Sequence, residues 1–258
     1  MVRLVSLFLL LATLVLTSGC ADQISLSNSG LLVASSDTPS TTGSTAKPPF
    51  RPFANEVETD IKRRQVIENP TIEQVMQSGP LPEMSLGRSD APVTMIKYAS
   101  MTCPYCREFQ IKTFPAFKRK YIDTGKVRYI LREFPIGFQS GAATIALRCV
   151  PAKKYFSLYN KLMRQQRSWV SQQVRREPIY RVAKQVGLSR SKFDACFADK
   201  SLSENLNQIK ERGRTLGIIG TPNYFINGRL YKRRLTMKDI DKIVTEALAK
   251  PAENPDKS

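Results

Sequence analysis

The chain of 258 residues contains no histidine. That absence removes the side chain most often used to shuttle protons near neutral pH, and the commonest nitrogen ligand for zinc. A zinc site would therefore have to be built from cysteines or carboxylates. Long apolar runs are missing too. The longest, LVSLFLLLATLVL (4–16), falls short of the roughly 18 to 20 residues that a spanning helix needs. There are no internal repeats, and only five cysteines, two of them in one close pair.

What the first residues do have is the order of a bacterial export signal over 1–19: Arg3, the apolar run, then a small-residue exit at Thr17-Ser18-Gly19-Cys20. TSGC resembles the lipoprotein cleavage box, in which Cys20 becomes the lipidated first residue, although Thr17 stands where an aliphatic residue is usual. Ordinary cleavage nearby is the alternative. Both readings place the protein in the periplasm or cell envelope, where disulfides persist.

The formal net charge of +18 suits anionic surfaces, lipid head groups or plain solubility. Nucleic acid is not expected as a partner of an exported protein. The basic stretches RRQ (63–65), KRKY (118–121), RR (175–176) and KRR (232–234) are scattered and lack interleaved aromatics. They read as solvated faces.

Residues 20–55, rich in Ser, Thr and Pro, read as a flexible tether, and 56–81 as an N-terminal helical segment. In that segment Thr71 caps TIEQVMQS and Gly79-Pro80 ends it. A folded domain is expected over 82–250, with a tail at 251–258. VTMIKYAS (93–100) reads as a buried strand, and Phe109, Ile111, Phe114, Phe117 and Tyr121 recur at helical spacing, with Pro115 expected to kink that helix. VRYILREF (127–134) is the next strand, which completes a βαβ unit. Helical patterns fill about 139–214. GIIGTPNYFINGRLYKRRL is β-rich with Asn227-Gly228 as a hairpin turn, and a helix from Thr236 closes the domain.

The chemistry concentrates in SMTCPYCREF (100–109), where strand meets helix. Cys103 and Cys106 could clasp zinc only with Cys149 and Cys196, which are lone cysteines in helical segments and not a second close pair. No metal is expected. A disulfide across so small a loop stabilises weakly, so a structural staple is also disfavoured. Redox chemistry fits better, because a helix N-terminus offers free N–H groups and a positive dipole end to a thiolate. Cys103 is expected at the N-cap, exposed, as the attacking and attacked sulfur. Pro104 suits the first helical position, and Cys106 lies one turn in as the buried resolving thiol.

A second signal is IGTPNYFING, where Thr221-Pro222 leads into a strand that tolerates proline only at its start or edge. Together with SMTCPYCREF, YIDTGKVRYILREFP and FDACFAD, this pattern resembles the thioredoxin superfamily, and the long helical insertion resembles its DsbA-like thiol:disulfide oxidoreductases, of the alphaproteobacterial type. The resemblance implies an α/β thioredoxin-like fold with a helical insertion domain. It also implies a cis peptide at Pro222 facing the cysteines, and a Thr221 backbone that pairs with bound peptide. No cofactor is implied.

Two positions depart from the family. Tyr105 replaces a frequent histidine before the second cysteine, which predicts a weaker oxidant. Lys97 stands six residues before Cys103, where relatives carry an acid. If buried it needs a partner, for which Glu133 is the candidate; close to Cys106 it could supply missing cationic help; otherwise it snorkels to solvent. Cys149 and Cys196 could be apolar fillers, but relatives suggest a second, structural disulfide.

The leading expectation is an enzyme that introduces disulfides into exported cysteine-containing proteins and is reoxidised by a membrane redox partner. A reductase or isomerase using the same site is the first alternative. A non-catalytic basic envelope binding protein with a permanently closed pair is the second.

Overall fold

The computed structural model describes residues 65–249. The readings of an export signal over 1–19, a lipidated Cys20, a tether over 20–55, the start of the helical segment at 56–64 and a tail at 251–258 lie outside the described residues. Among those described, no helix is long and apolar enough to cross a membrane.

Two near-continuous apolar strands form the centre. β2 (Val93–Ala99) and β3 (Val127–Glu133) pair in parallel, with Val93 opposite Val127 and Lys97 opposite Leu131. Strands buried at almost every position need cover on both faces, and this sheet has it. β1 (Met84–Leu86) adds antiparallel to β3, and β4 (Asn223–Ile226) antiparallel to β2, with Lys97 opposite Tyr224. β5 (Arg229–Tyr231) completes the order β1-β3-β2-β4-β5. In the β4–β5 turn Asn227 (φ 43°) and Gly228 (φ 80°) take the left-handed conformation that the Asn-Gly pair predicts. The Asn227 backbone N–H and side-chain oxygen both bond Thr94, which fixes the hairpin to β2.

Strand alternation sorts the core. Met95, Ala99, Tyr129, Leu131 and Tyr224 face the larger layer of helices, whereas Ile96, Tyr98, Ile130 and Phe225 pack with Val75 and Leu216 on the opposite face. Lys97 shares its parity with the first set. On the second face α1 (Ile72–Met76) is capped by Thr71 in a full capping box with Gln74.

Between β2 and β3 a helical rod runs over residues 104–122. It alternates α2 (Pro104–Glu108), a π turn (Phe109–Thr113), α3 (Phe114–Phe117) and a second π turn (Lys118–Ile122). The kink expected at Pro115 takes this form. Pro115 falls in the first turn of α3, just after the π turn, where a missing N–H costs little.

The insertion comprises α4 (Phe138–Arg148), α5 (Ala152–Arg164), α6 (Gln166–Trp169), α7 (Arg176–Ala183), α8 (Arg190–Ala198) and α9 (Lys200–Thr215). A disulfide joins Cys149, at the end of α4, to Cys196 in α8, with a Cα separation of 6.0 Å. At Gly213 in α9 an added Cβ would stand 2.8 Å from the Tyr98 ring, so glycine lets this helix lie on the sheet. Helix α10 (Met237–Ala249) ends the described domain.

Candidate active site

The β2–α2 junction is held by side chains from the insertion. The Ser140 hydroxyl of α4 lies 2.8 Å from the Ser100 hydroxyl and accepts from the Met101 N–H at 3.0 Å. From α6, the Gln166 amide donates to the carbonyls of Met101 (2.8 Å) and Cys103 (3.2 Å). These bonds fix the entry to α2, so Cys103 occupies the N-cap and Pro104 the first turn.

The Cys103 sulfur accepts the Cys106 backbone N–H at 3.2 Å, as a helix N-terminus allows. As a thiol it donates to the Thr221 carbonyl at 3.2 Å. The Thr221–Pro222 peptide is cis, and the loop thereby faces Cys103 across a chain separation of 118 residues. Cys103 is half-buried where full exposure was expected, because that loop and Gln166 crowd it. Cys106 is fully buried beneath it.

The environments push the two thiols apart. Cys103 is lowered to about 6, first by the hydrogen bond from Cys106. Burial opposes this, while the Thr221 side chain and the N–H groups of Cys106 and Tyr105 add to it. The Thr221 hydroxyl is buried without another hydrogen-bond partner, which leaves it available to a thiolate. Cys106 is raised well above the ordinary thiol value by burial, then by Cys103. One sulfur is thus a ready nucleophile at neutral pH and the other a protonated reserve.

Tyr105 projects outward, 49% exposed, with the Arg234 guanidinium 4.6 Å above its ring. Arg234 is itself 3.6 Å from Glu108. The cation near the dipeptide therefore comes from the β5–α10 connection.

Lys97 requires a correction. It is fully buried, so it does not snorkel, and Glu133 is not its partner. Glu133 lies at the end of β3, where Arg148 of α4 binds both its carboxylate oxygens and Tyr155 donates to one at 2.6 Å. A carboxylate already held by a guanidinium and a phenol has no reason to turn to Lys97. The lysine instead reaches under α2, with its ammonium 4.2 Å from the Phe109 ring centre and 3.3 Å from the Tyr159 hydroxyl. Burial lowers it to about 8, against the opposing influence of Cys106 and then Cys103.

Sequence reasoning missed Ser140, Gln166 and Arg234. Each lies at least 39 residues from the active-site group it touches (Ser140 is 39 from Met101, Gln166 is 63 from Cys103), so no local pattern marks it.

Known proteins resemble this chain in sequence and fold. A family model described as thioredoxin matches residues 81–246. A Rickettsia bellii protein, provisionally named a protein-disulfide oxidoreductase, is 31% identical over 173 residues, covering 64% of this chain and 66% of the relative. With a Rickettsia typhi relative the match spans 62% of that protein's length. Among solved structures, Wolbachia pipientis alpha-DsbA1 superposes with a TM-score of 0.64 at 27% identity, over 69% of this chain and 96% of that one. Oxidised BdbD from Bacillus subtilis, 20% identical with a TM-score of 0.62 over 72% of this chain and 99% of its own, shares the fold. The chain belongs to the thioredoxin family, as a DsbA-like member with a helical insertion.

Proposed function

We propose that the protein is a thiol:disulfide oxidoreductase that introduces disulfides into exported cysteine-containing proteins. Cys103 is the exchanging sulfur and Cys106 the resolving one. A client thiolate attacks the disulfide at Cys103, Cys106 leaves, and the client's second thiol displaces Cys103 to close its own disulfide. The reduced enzyme is then reoxidised by a membrane redox partner. Pro104 and Tyr105 shape the turn between the sulfurs, and the backbone at Thr221-Pro222 receives the client chain as an added strand.

The observation that carries this reading is the N-capping sulfur of Cys103, which faces the Thr221 carbonyl and is held at about 6. A thiol lowered in this way is both a stable leaving group and a nucleophile at neutral pH, as exchange requires. The rickettsial relatives, named as protein-disulfide oxidoreductases, support the same class. Cys149–Cys196 is read as the structural bridge of the insertion. Export through 1–19, the tether and a lipid on Cys20 belong to the same proposal, as an anchor in the envelope.

The test is equilibration of the Cys103–Cys106 pair in glutathione buffers. A potential towards the about −120 mV of strong oxidants supports disulfide donation; one near the about −270 mV of thioredoxin assigns the site to reduction or isomerisation. The missing histidine at Tyr105 leads us to expect a value between these, on the oxidising side.

A further inference from the structure

The segment 66–77 packs, through Val75 and Met76, on the face of the sheet opposite Cys103 and Cys106, and the exchange steps leave it without a task. It includes α1, whose five residues are too few to hold a helix alone. The last carbonyls of α1 are taken up by two arginines of the domain. Arg212 of α9 donates to the Gln74 carbonyl at 2.8 Å and to the Gln77 side chain at 2.7 Å. Arg132 of β3 donates to the carbonyls of Val75 (2.7 Å) and Met76 (3.2 Å). The thioredoxin model matches residues 81–246, so this segment lies ahead of the part for which the family match accounts.

What it touches is the stretch that carries the cis-proline. At the entry, the Ile67 N–H donates to the Thr215 carbonyl at 2.9 Å, and Val66 lies 3.7 Å from where a Cβ on Gly217 would stand. Val75 and Met76 share one buried cluster with Leu216 and Ile218. At the exit, Phe225 of β4 belongs to the same cluster, and Ile72 lies 3.6 Å from where a Cβ on Gly228 would stand. Between these anchors the loop has little hold of its own. Ile219 is 84% exposed, and a Cβ on Gly220 would meet nothing within 4 Å. Immediately after comes the cis Thr221–Pro222 peptide, with the Thr221 carbonyl 3.2 Å from the Cys103 sulfur. A short loop with so few buried contacts takes its position from its ends.

We propose that residues 66–77 are a strap that positions the Thr221–Pro222 loop against Cys103, and so sets how well an extended client chain is held for exchange. The inference rests on the exchange reading, in which the Thr221 backbone receives the client as an added strand. The strap touches neither sulfur. Val75 and Arg212 are the positioning residues: Val75 packs against Leu216 and Ile218, and Arg212 ties the strap to the last turn of α9, from which the loop departs. A loop displaced by about 1 Å leaves the disulfide open to a small thiol but misaligns the backbone hydrogen bonds that hold a chain.

The experiment opens the oxidised full chain with two thiols, 2-mercaptoethanol and an extended decapeptide carrying one central cysteine, compared at equal thiolate concentration. Both rates are read by acid quench and mass spectrometry. The small thiol needs only access to Cys103, whereas the peptide also needs the Thr221 backbone. Val75→Ala should slow the peptide about tenfold, the worth of roughly one backbone hydrogen bond, and leave the 2-mercaptoethanol rate within about threefold of the parent. Arg212→Gln should act in the same direction by about threefold, and it decides alone if Val75→Ala does not fold. Val244→Ala removes a fully buried valine of α10, which lies in the other core cluster, and should keep the parental ratio of the two rates. Amide exchange at Ile219, Gly220 and Thr221 should quicken relative to the rest of the domain in the strap variants and not in Val244→Ala. Parental rate ratios and loop exchange in the strap variants would overturn the proposal, as would an equal shift in Val244→Ala, which would make the strap one more source of stability. A parent disulfide opened no faster by the peptide than by 2-mercaptoethanol removes the strand-pairing reading, and this inference with it. A parent that prefers the peptide, with strap variants that prefer it equally, sinks the strap alone.

Discussion

Lys97 and Cys103 are tuned in opposite senses with respect to stability, and each leaves its own pH signature. The folded lysine titrates at about 8 against an ordinary value of 10.5. Between those values the unfolded chain binds more protons, so stability rises with pH there. Below about 8 the full penalty of burying the ammonium is in force. Lys97→Met should therefore stabilise the reduced protein near pH 7, by up to about 3 kcal/mol, since each tenfold loss of proton affinity on folding costs about 1.4 kcal/mol. The advantage should shrink as pH rises from 8 towards 10.5. Urea unfolding of both proteins at several pH values checks this, and a gain independent of pH up to 10.5 would mean that Lys97 keeps its ordinary protonation in the fold. The sequence marked Lys97 as a departure, but its partner lay beyond reach. Glu133 was the plausible acid on the adjacent strand, and only the positions of Arg148 and Tyr155, on two helices of the insertion, show that it is already taken.

At the scale of elements, what was legible follows from local chemistry. The two central strands announce themselves by runs rich in β-branched, aromatic and apolar residues, the α2 N-terminus by Cys103-Pro104, and the β4–β5 turn by Asn227-Gly228. The three residues of β1 carry no such mark, because they join the sheet only through pairing with β3 at Tyr129 to Leu131. The π turns around Pro115 were equally hidden, since periodicity reports a helix without its hydrogen-bond register. The insertion helices read clearly, yet the sequence did not show that α4 and α6 brace the active-site turn through Ser140 and Gln166. The disulfide between α4 and α8 closes a separation of 47 residues, and in the chain-entropy account a loop of that size is worth about 4 kcal/mol. Replacing Cys149 and Cys196 together by serine should lower stability by about 2–4 kcal/mol. It should also loosen the brace, which is seen as faster amide exchange at Met101 and Cys103. Unchanged exchange at those two residues would separate the insertion from the site.

For the whole molecule, redox state and stability are two sides of one cycle: whatever stabilises the folded dithiol over the folded disulfide drives transfer of that disulfide to a client. Cys103 falls from an ordinary 9.0 to about 6 on folding. A group depressed in this way adds stability that is fully present above the unfolded value and is lost as pH falls through the folded one. The dithiol form should therefore gain on the disulfide form from about pH 5 up to about pH 9, most steeply above 6. Lys97 also favours the dithiol form while it is protonated, since the thiolates support its ammonium, and this part fades as pH rises through about 8. Urea midpoints of the two redox forms, measured at pH 5 and pH 8, test the direction of the whole machine. We expect the dithiol form to be the more stable at pH 8, with the gap narrowing at pH 5. A disulfide form that remains the more stable at both would mean that the fold holds its own disulfide too tightly to give it away, and the same geometry would then serve reduction.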